Sequence, residues 1–136
     1  MELTNIPNTQ TERLNLLKTE LKQFRLQKYY CPAINKNILV NDHSIKETTN
    51  NAKITKESTW MALQLPTIIE NAKVLVSKVN PQSNTQKNTM HLNKMFILHS
   101  EIPDVGIAKL IIGRTYWGKY IHYSITSIKI YTVHQA

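Results

Sequence analysis

Glycine is scarce in this chain of 136 residues, with Gly106, Gly113 and Gly118 the whole complement. A glycine-rich loop to cradle phosphates is therefore not expected. Cysteine is scarcer still. Cys31 alone excludes an internal disulfide, and it excludes a zinc site built on three or four thiolates. A reduced, cytoplasmic setting is the expectation. No apolar run approaches the roughly 18 residues of a membrane span, and no basic-then-apolar stretch of the kind that marks a secretory signal is read. HExxH, GxSxG and acidic clusters with metal-ligand spacing are also missing. Metal-dependent hydrolysis and nucleophile-elbow chemistry are accordingly unsupported, and neither a metal nor a cofactor is expected.

Acid is the remaining shortage. Against 17 Lys+Arg stand 9 Asp+Glu, a formal charge of +8. Such an excess favours a polyanionic partner, because cationic patches attract phosphates and steer association. The alternative is a lysine-rich surface with no such partner, since the lysines are scattered and form no basic tract.

What is present reads as one domain, helices first and strands after. Residues 1–8 make a polar start. Thr9 and Glu12 have the spacing of a capping box, and Leu14, Leu17, Leu21 and Phe24 follow at steps of three and four. That pattern predicts an amphipathic helix to about residue 29, with Arg13, Lys18, Lys22, Arg25 and Lys28 over the rest of its surface. A solvated face is one reading of those cations; a helix that docks on a partner or on phosphates is the other. Cys31-Pro32 stops it.

Residues 34–40 read as a short strand with Ile38 and Val40 on one face, and 41–44 (NDHS) as a turn. A helix capped by Thr55 or Ser58 carries Trp60, Leu63 and Leu65 toward the core. The stretch 63–72 is the pivot, where Pro66 closes that helix and opens a shorter one that points Ile68 and Ile69 inward. A β-branched strand follows from residue 73. Residues 80–89 hold no bulky apolar side chain and read as a mobile loop. Strands are expected at 91–100, 107–112 and 120–130, the last alternating Ile121, Tyr123 and Ile125 against Tyr120, His122, Ser124 and Thr126. The predicted fold is α+β, a single globular unit. An N-terminal amphipathic helix occupies 1–30, and over 31–136 helices pack on an antiparallel sheet of four to five strands.

The groups left for chemistry are histidine, lysine, tyrosine and one loop glutamate. They suffice for cleavage of RNA without a metal, which needs a base for the 2′-hydroxyl, an acid for the leaving oxygen and cations around the phosphate. His122 is the best placed, on a sheet face in line with Tyr120; the alternative is a surface or hydrogen-bonded strand histidine. His43 either leans over the sheet from its turn or stands exposed. His91 and His99 bracket one strand, and His134 falls in the tail. Arg114, Tyr116 and Lys119 in the last hairpin suit phosphate binding or base stacking, though Tyr116-Trp117 equally suits a cap on the core edge.

Residues 34–40, the run Ser44-Ile45-Lys46-Glu47-Thr48, the stretch 65–72 (LPTIIENA), residues 108–113 and the G-K-x-x-H-Y of 118–123 together carry a resemblance. Over about residues 32–130 the chain resembles the large polyvalent protein-associated domain of the third type. That group is similar to the barnase–EndoU–colicin–RelE-like nuclease superfamily of phages and conjugative elements. The resemblance implies helices on a four-stranded antiparallel sheet and a metal-independent endoribonuclease or toxin-like domain of a mobile element. Carried over by position, it makes Lys46 and Thr48 loop residues facing the sheet, and His122 and Tyr123 the polar pair of a late strand. The catalytic set is then His122, Lys46, Tyr123 and Thr48, with Arg114, Lys119, His43 and Glu47 on the substrate. The chain departs from the pattern at Pro32-Ala33, where a glycine commonly precedes the first strand, and at Glu47, commonly lysine or another polar residue. The rival reading is a non-catalytic domain that binds nucleic acid, RNA foremost, or a protein partner engaged through the helix at 9–29. No membrane partner is expected.

Overall fold

Thr9 starts the first helix as its spacing to Glu12 predicts. Its hydroxyl oxygen accepts from the Glu12 N–H at 3.2 Å and the hydroxyl donates to the Glu12 carboxylate at 2.7 Å. The computed structural model describes residues 2–79, 92–115 and 117–130; the loop read at 80–89, with His91, Tyr116 and His134, lies outside the described residues. Helix α1 runs Gln10–Glu20 and tightens into a 3-10 turn, Leu21–Phe24. It buries Leu17, Leu21 and Phe24 of the predicted stripe, while Leu14 is half-buried. It does not reach residue 29. Leu26 turns the chain with φ 61, and Lys28–Cys31 becomes strand β1. Four residues (KYYC) are too few for alternation to show against a helical pattern.

Strand β2 (Lys36–Leu39) pairs antiparallel with β1. The NDHS segment then opens helix α2 (Asp42–Ala52), where a turn was expected. Asn41 is its N-cap: Asn41 Oδ1 accepts from the Ser44 N–H at 2.9 Å and Ser44 Oγ accepts from the Asn41 N–H at 3.1 Å. Asn and Asp serve turns and helix starts alike, because both need a side-chain oxygen for a free backbone N–H. Thr55 caps α3 (Lys56–Leu63) by the same reciprocal bonds with Ser58. Pro66 sits at the start of α4 (Leu65–Asn71), and Ile68 and Ile69 are buried as predicted. Strands β3 (Lys73–Val79), β4 (Leu92–Ile102), β5 (Gly106–Thr115) and β6 (Tyr120–Ile130) follow.

The α+β class holds, but the sheet is larger and of another kind than expected. It has six strands in the order β1-β2-β6-β5-β4-β3 among the described residues, and β2 runs parallel to β6 while the other pairs are antiparallel. The extra strand is β1. The parallel pair arises because α2, α3 and α4 carry the chain from β2 to the far edge of the sheet before the β3–β6 meander returns. The sheet curls so that α4 touches β1 as well as β4 and β5. Ile38, Phe96, Leu98, Leu110, Ile112 and Ile125 meet Leu65, Ile68, Ile69 and Met61 in the core.

Arg13 is the least expected member of the interior. It belongs to the surface predicted for α1, yet it is 7% exposed. Its guanidinium donates to the carbonyls of Lys53 (2.8 Å), Pro7 (3.1 Å), Asn8 (2.8 Å) and Ile54 (3.0 Å). Five fixed N–H donors let one arginine satisfy several loop carbonyls at once, joining the N-terminal segment to the turn between α2 and α3.

Candidate nucleic-acid interface

The last strand decides the fate of the predicted catalytic histidine. On β6, Ser124 is opposite Ile111 and His122 is opposite Ile112, so two steps on β6 match one on β5. This β-bulge at Tyr123 shifts the phase of the side chains. His122 and Ile125 pair with Ile112 and Leu110, two residues apart on β5, and so share the core face. His122 is 1% exposed. Simple alternation put it opposite Ile125, on an open face. The expected placement on an open sheet face is thereby corrected: the bulge turns the imidazole to the interior. Tyr123 belongs to β6, and its side chain lies outside the described residues.

The residues expected in one loop are carried by α2 and point different ways. Ser44, Thr48 and Ala52 recur at intervals of four and are buried, so Thr48 faces the sheet as expected, but from a helix. Lys46 is exposed and lines a groove toward α1. His43 and Glu47, one turn apart and half-buried, occupy a flank of α2 that does not line that groove. Arg114 is opposite Tyr120 in register, and Lys119 lines a cleft beside the same tyrosine. The predicted set thus falls into a groove residue (Lys46), a flank of α2 (His43, Glu47), core residues (Thr48, His122) and a pair at the β5–β6 turn (Arg114, Lys119), with the Tyr123 side chain outside the described residues.

The groove is about 680 Å³ and lies between the outward faces of α1 and α2. Its floor is Leu14 and Ile45. Lys18, Lys22 and Arg25 rise from the α1 side, and Lys46 and Lys53 from the α2 side. Leu14 and Lys18 are four apart on α1, with Lys22 in the 3-10 turn and Arg25 just past it; Lys46 and Asn50 are four apart on α2, with Lys53 at its end. Among the described residues that line it, Asp42 alone carries a carboxylate. Asp42 is already engaged, accepting from Arg25 Nε at 2.5 Å and Nη2 at 3.1 Å. That bond and its charge hold the Arg25 guanidinium above its ordinary range. Among the described residues, the lysines therefore face the groove without an anion of their own. Facing cations separated by water raise the potential between them and concentrate anions there.

A second cleft of about 290 Å³ opens where β1 and β2 meet the start of β6. Lys28, Lys36 and Lys119 line it with Asn37, Leu39, Gly118 and Tyr120. Lys36 Nζ lies 5.7 Å from the centre of the Tyr120 ring, within reach of a cation–π contact.

Lys18, Lys22 and Arg25 were legible in the sequence as a basic helix face. Lys46 and Lys53 on the α2 side carry no such signature, because NDHS has the chemistry of a turn as much as of a helix start. No local signal marks Lys36 or Lys53 either. Comparison of the chain with protein-family models, with curated proteins and with solved structures finds no match.

Proposed function

We propose that this chain binds nucleic acid, with the groove between α1 and α2 receiving the phosphate backbone. The observation that carries the reading is the convergence of Lys18, Lys22, Lys46 and Lys53 on one groove whose single lining carboxylate is spent on Arg25. Phosphate neutralisation supplies most non-specific affinity for nucleic acid, and this geometry needs no catalytic group. The burial of His122 favours binding over cleavage, since it removes the expected general base from substrate.

The test is affinity for a labelled RNA and a duplex DNA across salt. If the four lysines each meet a phosphate, log K falls against log salt with a slope of about −3 to −4. Joint replacement Lys18→Glu and Lys46→Glu weakens binding severely and flattens the slope by about two. The same RNA stays intact in chelator; cleavage abolished by His122→Ala would restore the enzymatic reading.

The apolar floor of Leu14 and Ile45 favours one second reading, an acidic amphipathic helix of a protein partner laid in the groove. No affinity for either nucleic acid, or an affinity indifferent to salt, would favour it.

A further inference from the structure

We infer that the cleft at the start of β6 is a stacking site for unpaired bases, which makes the protein selective for single-stranded nucleic acid; the inference rests on the nucleic-acid reading above. The groove and the cleft differ in one chemical respect. No aromatic ring is among the described residues that line the groove, so it reads phosphate charge whether or not the bases are paired. The cleft is lined by three lysines and the half-buried ring of Tyr120, and two exposed rings belong to residues next to its lining.

Trp117 is 67% exposed and immediately precedes the lining residues Gly118 and Lys119. Tyr30 is 48% exposed and is the register partner of the lining residue Asn37; Lys28 lies two positions away on the same face of β1. Both side chains are thus exposed beside cleft residues, Trp117 as the chain neighbour of Gly118 and Tyr30 across the β1–β2 ladder from Asn37, with the Tyr30 hydroxyl bonded to Asn35 Oδ1. Phosphates on lysine with bases on aromatic faces is the arrangement by which single strands are held, and a duplex does not offer its base faces.

Thr115, Gly118 and Lys119 are tied to one another beside Trp117. The Thr115 N–H donates to the Lys119 carbonyl at 2.8 Å, the Lys119 N–H to Thr115 Oγ1 at 2.9 Å, and the Gly118 N–H to the Thr115 carbonyl at 3.0 Å. Gly118 takes φ 88 with nothing within 4 Å of an added Cβ, so backbone geometry rather than space calls for glycine there.

The experiment compares a labelled uridine oligomer of about 12 nucleotides with an RNA duplex of equal length, at matched salt. The wild-type protein prefers the single strand. Trp117→Ala weakens the single strand about tenfold and leaves the duplex within about twofold, as the loss of one stacked base requires. Trp117→Phe restores most of the difference. Lys119→Ala lowers the single-strand salt slope by about one. Equal loss on both ligands, no loss on either, or a wild-type preference for duplex overturns the inference and leaves the groove reading intact. Failure of the wild-type protein to bind either ligand removes both.

Discussion

Thr48 and Ile125 stand 77 positions apart, and the Thr48 hydroxyl oxygen accepts a hydrogen bond from the Ile125 N–H at 3.2 Å. Both residues are buried. Among the described residues β2 meets β6 at the one register pair Leu39↔Ile121. Helix α2 also packs on β6, which pairs with β5 on its other edge, and the α2 hydroxyl takes a strand N–H. A group expected to position substrate instead secures a helix to the sheet. Thr48→Val keeps the shape and removes the acceptor, leaving a buried N–H unsatisfied. We expect a loss of about 1–3 kcal/mol, while Thr48→Ser retains the bond and most of the stability. Urea unfolding followed by circular dichroism measures both; a valine variant as stable as the wild type would deny the bond any role.

Arg13 carries a larger structural load. Replacing it with alanine abandons four carbonyls at the junction of the N-terminal segment and the α2–α3 turn. The expected loss is about 3 kcal/mol, a fall of roughly 10 °C in Tm for a chain of this length. Arg13→Lys recovers little, because one ammonium does not span the same carbonyls. Thermal unfolding of the two variants separates lost geometry from lost charge.

Asp42→Asn acts on binding rather than on folding. The Arg25–Asp42 pair is well exposed, with side chains 51% and 68% accessible, and exposed pairs contribute little to stability. Removing the carboxylate frees Arg25 and strips the groove of its lining anion. The midpoint of urea unfolding stays near that of the wild type, while affinity for RNA rises at low ionic strength and the gain shrinks as salt screens the groove. Weaker binding by this variant would place the ligand elsewhere.

Cys31 is fully buried, and burial pushes its thiol upward against the backbone N–H groups of Ile34 and Ala33, which favour the thiolate. Tyr29, edge-on to Phe24 with centroids 6.0 Å apart, is also pushed up by burial. In both cases the folded protein holds its proton longer than the unfolded chain. Their contribution is thus complete below the ordinary values of thiol and phenol, and it is lost as pH rises through the raised folded values. Stability declines on the alkaline side, and Cys31 resists alkylation at neutral pH until the protein unfolds. Rapid labelling of the native protein would contradict its burial.

The helix stripe of Leu17, Leu21 and Phe24, the break at Pro66, the inward Ile68 and Ile69 and the faces of β2 were legible because local periodicity and backbone chemistry dictate them. Four-residue β1 was not, for it is shorter than the window in which period two differs from a helical pattern. Helix α2 was hidden because Asn41 and Ser44 belong equally to turns and to capping boxes. The face of His122 was misread because a bulge leaves no mark in an alternating string, and one extra residue reverses every side chain beyond it.

By itself the sequence determined an α+β chain rich in cations and poor in acid, with helices that must bury one stripe each. Tertiary structure decided which of those cations share a groove, which arginine goes inside, and that the late-strand histidine belongs to the core. Charge and periodicity are properties of neighbours along the chain, whereas a site is a property of neighbours in space. Only the register of β6 and the packing of α2 against it bring the second kind about.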